Sequence, residues 1–207
     1  MNPKMDVEIC GVHFKNPIIT ASGTFGFGKE YSDYVDINSI GGIAVKGLTL
    51  NPRRGNPPPR VAETPSGIIN SVGLQNPGVD YFIEHELPGL LKYNTNIIVN
   101  INGNTVEEYC QVAERLRDGP VQLLELNISC PNVKEGGVAF GTDPDMVYHI
   151  TRVVKAHARQ PVLVKLTPNV SDIKEIALAA QEGGGDGISL INTVLGMAID
   201  AKTRRPI

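Results

Sequence analysis

Short apolar runs rich in valine and isoleucine recur along the chain, and most are apolar at successive positions rather than at alternate ones. A strand that is covered on both faces has this pattern. We therefore predict six buried β-strands. They are Pro17–Ala21, Gly42–Lys46, Asn96–Ile101, Gln122–Ile128, Pro161–Leu166 and Asp186–Ile191.

Segments with helical signals lie between these runs. Asn104 is the predicted N-cap of a helix over Thr105–Arg117, and Asp143 followed by a proline begins a helix over Asp143–Ala158. A third helix, Ser171–Glu182, stops at a run of glycines. Two weaker candidates are Val79–Tyr93, which Pro88 must bend or break, and Gly28–Val35.

Strands that alternate with helices imply right-handed crossovers and a parallel sheet, which fits either a doubly wound sheet or a (β/α)₈ barrel. Polar residues at or just past nearly every strand's carboxyl end favour the barrel, because those ends meet at one mouth. They are Ser22, Lys46, Asn100, Asn102, Asn127, Lys165 and Asn192. The fold class is therefore α/β, with residues 1–207 as a single TIM-barrel domain.

The strand count falls short of that fold. A complete barrel needs eight strands and typically ~250 residues, whereas the chain has 207 residues and six predicted strands. We expect an incomplete barrel, truncated at the C-terminus, with two open sheet edges.

Composition excludes several classes of function. A hydrophobic content of 41% argues against disorder, and a net charge of −3 argues against binding to duplex nucleic acid. With no apolar run long enough for a membrane span and no signal-like start, we expect a cytoplasmic protein without a membrane partner. Three cysteines without CxxC spacing predict reduced thiols, with neither a disulfide nor a metal site.

Two lysines carry the first candidate chemistry, since Lys46 and Lys165 each end an apolar strand. Together they would form a cationic floor for an anionic ligand or for negative charge on a reduced cofactor. A Schiff-base lysine is a second interpretation, and a solvated lysine at a strand end is the ordinary one.

Asparagines form the second group, because converging amides suit a planar heterocycle with alternating C=O and N–H edges. They are Asn70, Asn100, Asn127, Asn132 and Asn192, with Thr193 beside the last. Asn70 and Asn132 also fit ordinary turns.

Cys130 follows a strand and precedes a proline, which exposes its thiol on a loop as a candidate base or nucleophile. Cys10 and Cys110 are interpreted as buried and inert. The absence of a GxGxxG motif between a strand and a helix indicates that this chain does not itself bind NAD.

Three segments carry a family resemblance: Asn127-Ile128-Ser129-Cys130-Pro131-Asn132, Asn70-Ser71-Val72-Gly73-Leu74-Gln75-Asn76 and Leu190-Ile191-Asn192-Thr193. From Asn16 to Arg205 the chain resembles the dihydroorotate dehydrogenases of class 1, the cysteine-containing type. Residues 135–144 resemble the catalytic (FMN) subunit of the NAD-linked enzymes rather than the fumarate-linked homodimer.

The resemblance implies an FMN-dependent (β/α)₈ barrel that oxidises (S)-dihydroorotate to orotate in pyrimidine biosynthesis. Cys130 would be the general base that removes the C5 proton, while the C6 hydride passes to flavin N5. Electrons would then reach NAD through a partner subunit that carries FAD and a [2Fe–2S] cluster. The assembly implied is a homodimeric core within a heterotetramer.

The same resemblance assigns site residues by position. Its implied FMN contacts are Ser22, Lys46, Gly47, Asn100, Asn127, Lys165 and Ile191. Its implied orotate contacts are Lys46, Asn70, Ser71, Val72, Gly73, Leu74, Asn127, Asn132, Asn192 and Thr193.

In the family, the last two strands carry the loops that hold the FMN phosphate, so we expect this chain alone to bind FMN weakly and to turn over poorly. Alternatives remain open. They are a dihydropyrimidine dehydrogenase-type flavin domain, which would act on uracil or thymine, a Schiff-base aldolase on a flavin-free barrel, and a non-catalytic fragment or binding module.

Overall fold

The computed structural model describes residues 5–129 and 140–207. Its strands are short, and several form isolated pairs outside the main sheet. In chain order they are β1 (Val7–Ile9), β2 (Val12–Phe14), β3 (Ile19–Thr20), β4 (Gly42–Leu48), β5 (Val61–Thr64), β6 (Gly67–Asn70), β7 (Asn96–Ile101), β8 (Leu123–Asn127), β9 (Val162–Lys165), β10 (Gly187–Ser189), β11 (Ile199–Asp200) and β12 (Arg205–Pro206).

The helices lie mainly between the strands of the main sheet. They are α1 (Ser22–Phe25), α2 (Val79–Tyr81), which continues through a π-helical turn (Phe82–Glu86) into α3 (Leu87–Leu90), α4 (Val106–Leu116), α5 (Pro144–His157) and α6 (Ile173–Glu182). Short 3₁₀ turns cover Lys29–Tyr31, Ile37–Ser39 and Phe140–Thr142.

The six predicted strands form one parallel sheet in the order β3-β4-β7-β8-β9-β10. Each strand therefore pairs with the next one along the chain that belongs to this sheet. A doubly wound sheet reverses its strand order at a switch point, and no such reversal occurs here. The order is that of a partial (β/α)₈ barrel, with β3 and β10 as its edges in the described part of the chain.

The two faces of this sheet have different partners, because successive strand residues point to opposite faces. Alternate residues such as Val99 and Leu124 join a large core with α4 and α5. The residues between them, Ala44, Ile98 and Leu123, pack on the inner face against Phe14 from the β1–β2 hairpin. The hairpin therefore fills the inner face of the barrel at the amino ends of the strands.

Close packing on this inner face explains one glycine. An added Cβ on Gly187 would lie 2.7 Å from Leu163 Cδ2 and 2.9 Å from Cys10 Sγ. A side chain at this position would overlap its neighbours, so β10 stays close to β9 only with a glycine there.

Several local predictions need correction. Thr105, not Asn104, caps α4, because the Thr105 side chain accepts a hydrogen bond from the Glu108 amide. The last long helix begins at Ile173 rather than Ser171, because Asp172 is its cap. In contrast, the structure confirms the predicted Asp143 cap of α5.

The hairpins, α1 and the β11–β12 pair were not predicted. Their strands have only two to four residues each, which is too short to show a hydrophobic period. The segment from Gly28 to Val35 forms a 3₁₀ turn rather than an α-helix.

Within the described residues, no helix combines the length and the apolar character that crossing a membrane requires.

The inner-face packing generates a stability prediction. Leu123 is fully buried there, so Leu123→Ala should lower the free energy of unfolding by about 2–5 kcal/mol through lost contacts and a cavity. Leu178, 57% exposed on α6, provides the matched control, since Leu178→Ala should stay within about 0.5 kcal/mol of the parent. Urea unfolding of both variants measures the difference, and equal effects would contradict this account of the core.

Candidate active site at the carboxyl ends of the strands

A polar layer lies directly above the apolar inner layer of the sheet. Each of its members follows an inner-face residue by two positions and so points to the same side. The pairs are Ala44 and Lys46, Ile98 and Asn100, Leu123 and Glu125, and Leu163 and Lys165. Strand alternation thus brings two lysines, an amide and a carboxylate to one mouth.

Strand β4 is irregular where it enters this layer. Its pairing with β7 shifts register between Val45 and Leu48, and both of these residues face the helix-side core. A bulge of this kind re-aims side chains near functional sites. An added Cβ on Gly47 would lie 2.5 Å from Asn102 Nδ2 and 2.7 Å from Asn100 Oδ1. Gly47 therefore leaves the space that these two amides occupy.

Lys46 is a partly buried cation of the mouth. Its ammonium has no hydrogen-bond acceptor or ion-pair partner among residues 5–129 and 140–207. Burial lowers the pKa of Lys46, and the positive charge of Arg60 lowers it further. The negative charge of an anionic ligand would offset both effects, so this position favours an acidic group.

Lys165 is in a different state, because it pairs with a carboxylate. Its Nζ lies 3.7 Å from Glu125 Oε2, and both side chains are largely buried. The sequence predicted that Lys46 and Lys165 together form a cationic floor. The structure adds that a carboxylate on the neighbouring strand balances the charge of Lys165.

Two predicted amides meet across the mouth. Asn192 Nδ2 donates to Asn127 Oδ1 at 2.7 Å, and the Ser129 amide donates to the same oxygen at 3.3 Å. The Asn127 carbonyl oxygen is therefore used within the protein, and its Nδ2 has no acceptor in the described part of the chain. The pair presents N–H groups to a ligand and suits the carbonyl edge of a heterocycle.

A loop with four of the predicted substrate residues lies over β4. Asn56 holds it, since the Asn56 amide donates to Val72 O at 3.0 Å and its Nδ2 donates to Ser71 O at 2.7 Å. Gly73 has a positive φ of 74° close against Asn56, where a side chain would be strained. Leu74 reaches the Gly47 backbone, because an added Cβ there would lie 3.1 Å from Leu74 Cδ1.

The other predicted site residues make fewer contacts with the polar side chains of the mouth. Asn70 is exposed at the end of β6, where its Oδ1 accepts from the Val72 amide at a long 3.4 Å. Ile191 is 48% exposed. Thr193 donates from its backbone and hydroxyl to Asn192 Oδ1, while Ser22 is buried as the first residue of α1.

Two predictions fall outside the described residues, namely Cys130 as the base and Asn132 as a substrate contact. The other thiols lie away from the mouth. Cys110 on α4 is buried, which raises its pKa to about 11 and agrees with an inert role. Cys10 is only partly buried, contrary to expectation, and its Sγ donates to Asp186 O at 3.2 Å.

Sequence reasoning missed Glu125, Ser189 and Arg60. Glu125 carried a usable signal, because it is the one charged residue in an apolar strand and lies two positions before Asn127. Arg60 carried no such signal in the sequence, because its position near Lys46 depends on the conformation of its loop. Among the described residues, no cluster of three or more acidic, histidine or cysteine side chains could hold a metal ion.

Fold and site together define a parallel β/α-barrel protein whose ligand mouth, at the carboxyl ends of the strands, combines a partly buried lysine with converging amides. A family model described as dihydroorotate dehydrogenase matches residues 4–207. The chain belongs to the dihydroorotate dehydrogenase family.

Relatives and one solved structure agree. The chain is 64% identical over 203 residues to "Dihydroorotate dehydrogenase B (NAD(+)), catalytic subunit" of Alkaliphilus metalliredigens, covering 98% of this chain and 67% of that protein. The protein of the same name from Desulforamulus reducens is 57% identical, with 100% and 68% covered. The Eimeria tenella DHODH crystal structure with ferulenol has a TM-score of 0.78 at 22% identity, with 99% of this chain and 63% of that chain covered, and supports the fold.

The state of Lys46 can be tested through stability. Burial lowers its pKa from the ordinary 10.5, so the folded chain holds this proton less tightly than the unfolded chain does. Below the lowered pKa, Lys46 is charged in both states, and its burial destabilises the folded state by the full cost of the buried charge. Above pH 10.5 Lys46 is neutral in both states, so this cost disappears. Lys46→Met should therefore be more stable than the parent at pH 7, and this advantage should shrink as the pH rises toward 10.5.

Urea unfolding midpoints between pH 7 and pH 10 measure this difference. Lys174→Met, at an exposed position on α6, is the control and should show no such trend. A Lys46→Met variant that is less stable than the parent at pH 7 would contradict the assignment of a buried, unpaired ammonium.

Proposed function

We propose that this chain belongs to the catalytic subunit of an NAD-linked dihydroorotate dehydrogenase and oxidises (S)-dihydroorotate to orotate in pyrimidine biosynthesis. The carrying observation is the Lys46 ammonium, which has no partner within residues 5–129 and 140–207, at the mouth that also holds the Asn127–Asn192 amide pair. Dihydroorotate is a dihydropyrimidine with one carboxylate. Its ring carbonyl oxygens can accept hydrogen bonds from the amides, and its carboxylate can pair with the lysine.

Members of this family use FMN, and the described residues fit that cofactor. Two buried hydroxyls near the mouth, Thr20 Oγ1 at the end of β3 and Ser129 Oγ after β8, have no partner in the described part of the chain. Gly47 lets the amides of Asn100 and Asn102 lie directly against the backbone of β4 in this mouth. Ser22, Lys46, Gly47, Asn100, Asn127, Lys165 and Ile191 are the residues proposed to hold FMN.

The proposed reaction breaks two C–H bonds and forms the C5=C6 double bond of orotate. FMN, when bound, supplies the acceptor for the C6 hydride. Cys130, outside the described residues, is proposed as the base whose thiolate takes the C5 proton. Lys46 holds the substrate carboxylate, and Asn127 and Asn192 orient the pyrimidine edge, with the loop at Asn70–Leu74, Asn132 and Thr193 as further proposed contacts.

The names of the relatives describe a catalytic subunit, which implies a partner subunit. We propose that this partner carries FAD and a [2Fe–2S] cluster and passes electrons to NAD, in a heterotetramer built on a homodimer of catalytic subunits. A cytoplasmic location is part of the same proposal.

Anaerobic visible spectroscopy tests the reaction. The protein is mixed with excess FMN, to allow for weak binding, and dihydroorotate is added. We expect the flavin band to bleach with dihydroorotate and not with dihydrouracil, which lacks the carboxylate. Bleaching with dihydrouracil would indicate a uracil-type enzyme, and a spectrum that changes with neither compound would overturn the proposed activity.

The amide pair can be tested separately. Asn192→Ala removes the donor to Asn127 Oδ1 and should lower kcat/KM for dihydroorotate roughly 10- to 100-fold, the effect of losing about 1–3 kcal/mol of polar contact. The control is Asn94→Ala, since Asn94 is exposed before the amino end of β7. Equal losses in both variants would show that Asn192 does not act through the mouth.

A further inference from the structure

Glu125 is a charged residue in an otherwise apolar stretch of β8. It is 6% exposed, and its neighbours Leu124 and Leu126 are fully buried. Removing a carboxylate from water is costly unless hydrogen bonds and an opposite charge compensate. A carboxylate at this position therefore needs partners on the neighbouring strands.

The structure provides those partners from three strands. Asn100 Nδ2 on β7 donates to Glu125 Oε2 at 2.5 Å, and Ser189 Oγ on β10 donates to Oε1 at 2.6 Å. Lys165 Nζ on β9 lies 3.7 Å from Oε2. Both carboxylate oxygens are thus engaged, and Glu125 connects the polar side chains of four consecutive strands.

The network continues away from the carboxylate. Asn102 Nδ2 donates to Asn100 Oδ1 at 2.7 Å. Because Asn100 donates to Glu125 and accepts from Asn102, the direction of its amide is fixed. Glu125 therefore determines which group Asn100 can present to a ligand, and it also holds the Lys165 ammonium near β8.

We propose that Glu125 is a positioning residue for the FMN site: it orients Asn100 and reduces the effective positive charge that Lys165 presents to the flavin. This inference rests on the proposed function. Lys46 has no counter-ion among the described residues, whereas Lys165 has Glu125, so Lys46, Lys165 and Glu125 together carry about one net positive charge, to which the nearby Arg60 adds. That balance affects how strongly reduced flavin, which is anionic at neutral pH, is favoured over oxidised flavin.

Glu125→Gln is the main test, because glutamine keeps the shape and can still accept from Asn100 and donate to Ser189 Oγ. Loss of the negative charge leaves Lys165 unbalanced. We expect reduced FMN to gain affinity about tenfold relative to oxidised FMN, which is an upward shift of about 30 mV for a two-electron couple. Anaerobic calorimetric titration with each form of FMN measures the ratio without turnover.

The control is Glu108→Gln on α4, where the carboxylate accepts two hydrogen bonds from Asn104 at 2.7 and 3.1 Å. It makes the same chemical change outside the polar layer and should leave the affinity ratio unchanged. A purely structural role for Glu125 would lower the melting temperature and weaken both forms of FMN equally. That result would overturn the inference.

Glu125→Asp is the second variant and serves if Glu125→Gln does not fold. Aspartate keeps the charge but withdraws it from Lys165 and Asn100, so a smaller shift in the same direction is expected. If the parent binds FMN and the Glu125 variants show the same ratio of affinities for reduced and oxidised FMN as the parent, this inference alone is overturned. A parent that binds neither form of FMN overturns the proposed function as well.

Discussion

The inner face of the parallel sheet must be filled by side chains, and this constraint organises the rest of the molecule. At the amino ends of the strands it is filled by aliphatic residues and by Phe14 from the β1–β2 hairpin. Two residues further along each strand the same face becomes polar. Because the strands run parallel and in register, Asn127 pairs with Lys165, and Lys165 with Ser189. Two residues along each strand therefore separate the apolar core from the polar ligand mouth.

Charge balance follows from this arrangement. The charge of a cation that extends from a buried strand is balanced either by a carboxylate on a neighbouring strand or by a bound anionic ligand. Lys165 is in the first situation, and in the described part of the chain Lys46 is in the second. Equivalent positions on two strands of one sheet thus become chemically different. The free lysine is suited to a substrate anion, whereas the paired lysine contributes a weaker and better oriented charge.

Much of the fold could be predicted from the sequence, because each of the six main strands lies in a short, continuous apolar run between helical segments. The site was predicted less completely. Asn127 and Asn192 were identified by residue type and strand position, and the structure brings their side chains into contact. Glu125 was missed although it lies two positions before Asn127 and therefore on the same face of β8. Residues 70–74 were proposed from the family resemblance, whereas the position of Arg60 near Lys46 depends on contacts between distant segments, which no local pattern encodes.

The amide pair shows why the mouth requires the segment after β10. The Asn192 backbone donates to Leu166 O at 2.9 Å, and Asn169 holds the following residues through Thr193 O and the Leu195 amide. These bonds attach an exposed stretch to the end of β9, so the Asn192 side chain reaches Asn127 across 65 positions of sequence. The direction of the Asn127 amide is therefore set by a segment that contributes almost nothing to the core. Selection of a ligand at this mouth and stability of the barrel consequently depend on different residues, and substitutions in the 190–195 segment should change the first while leaving the second nearly intact.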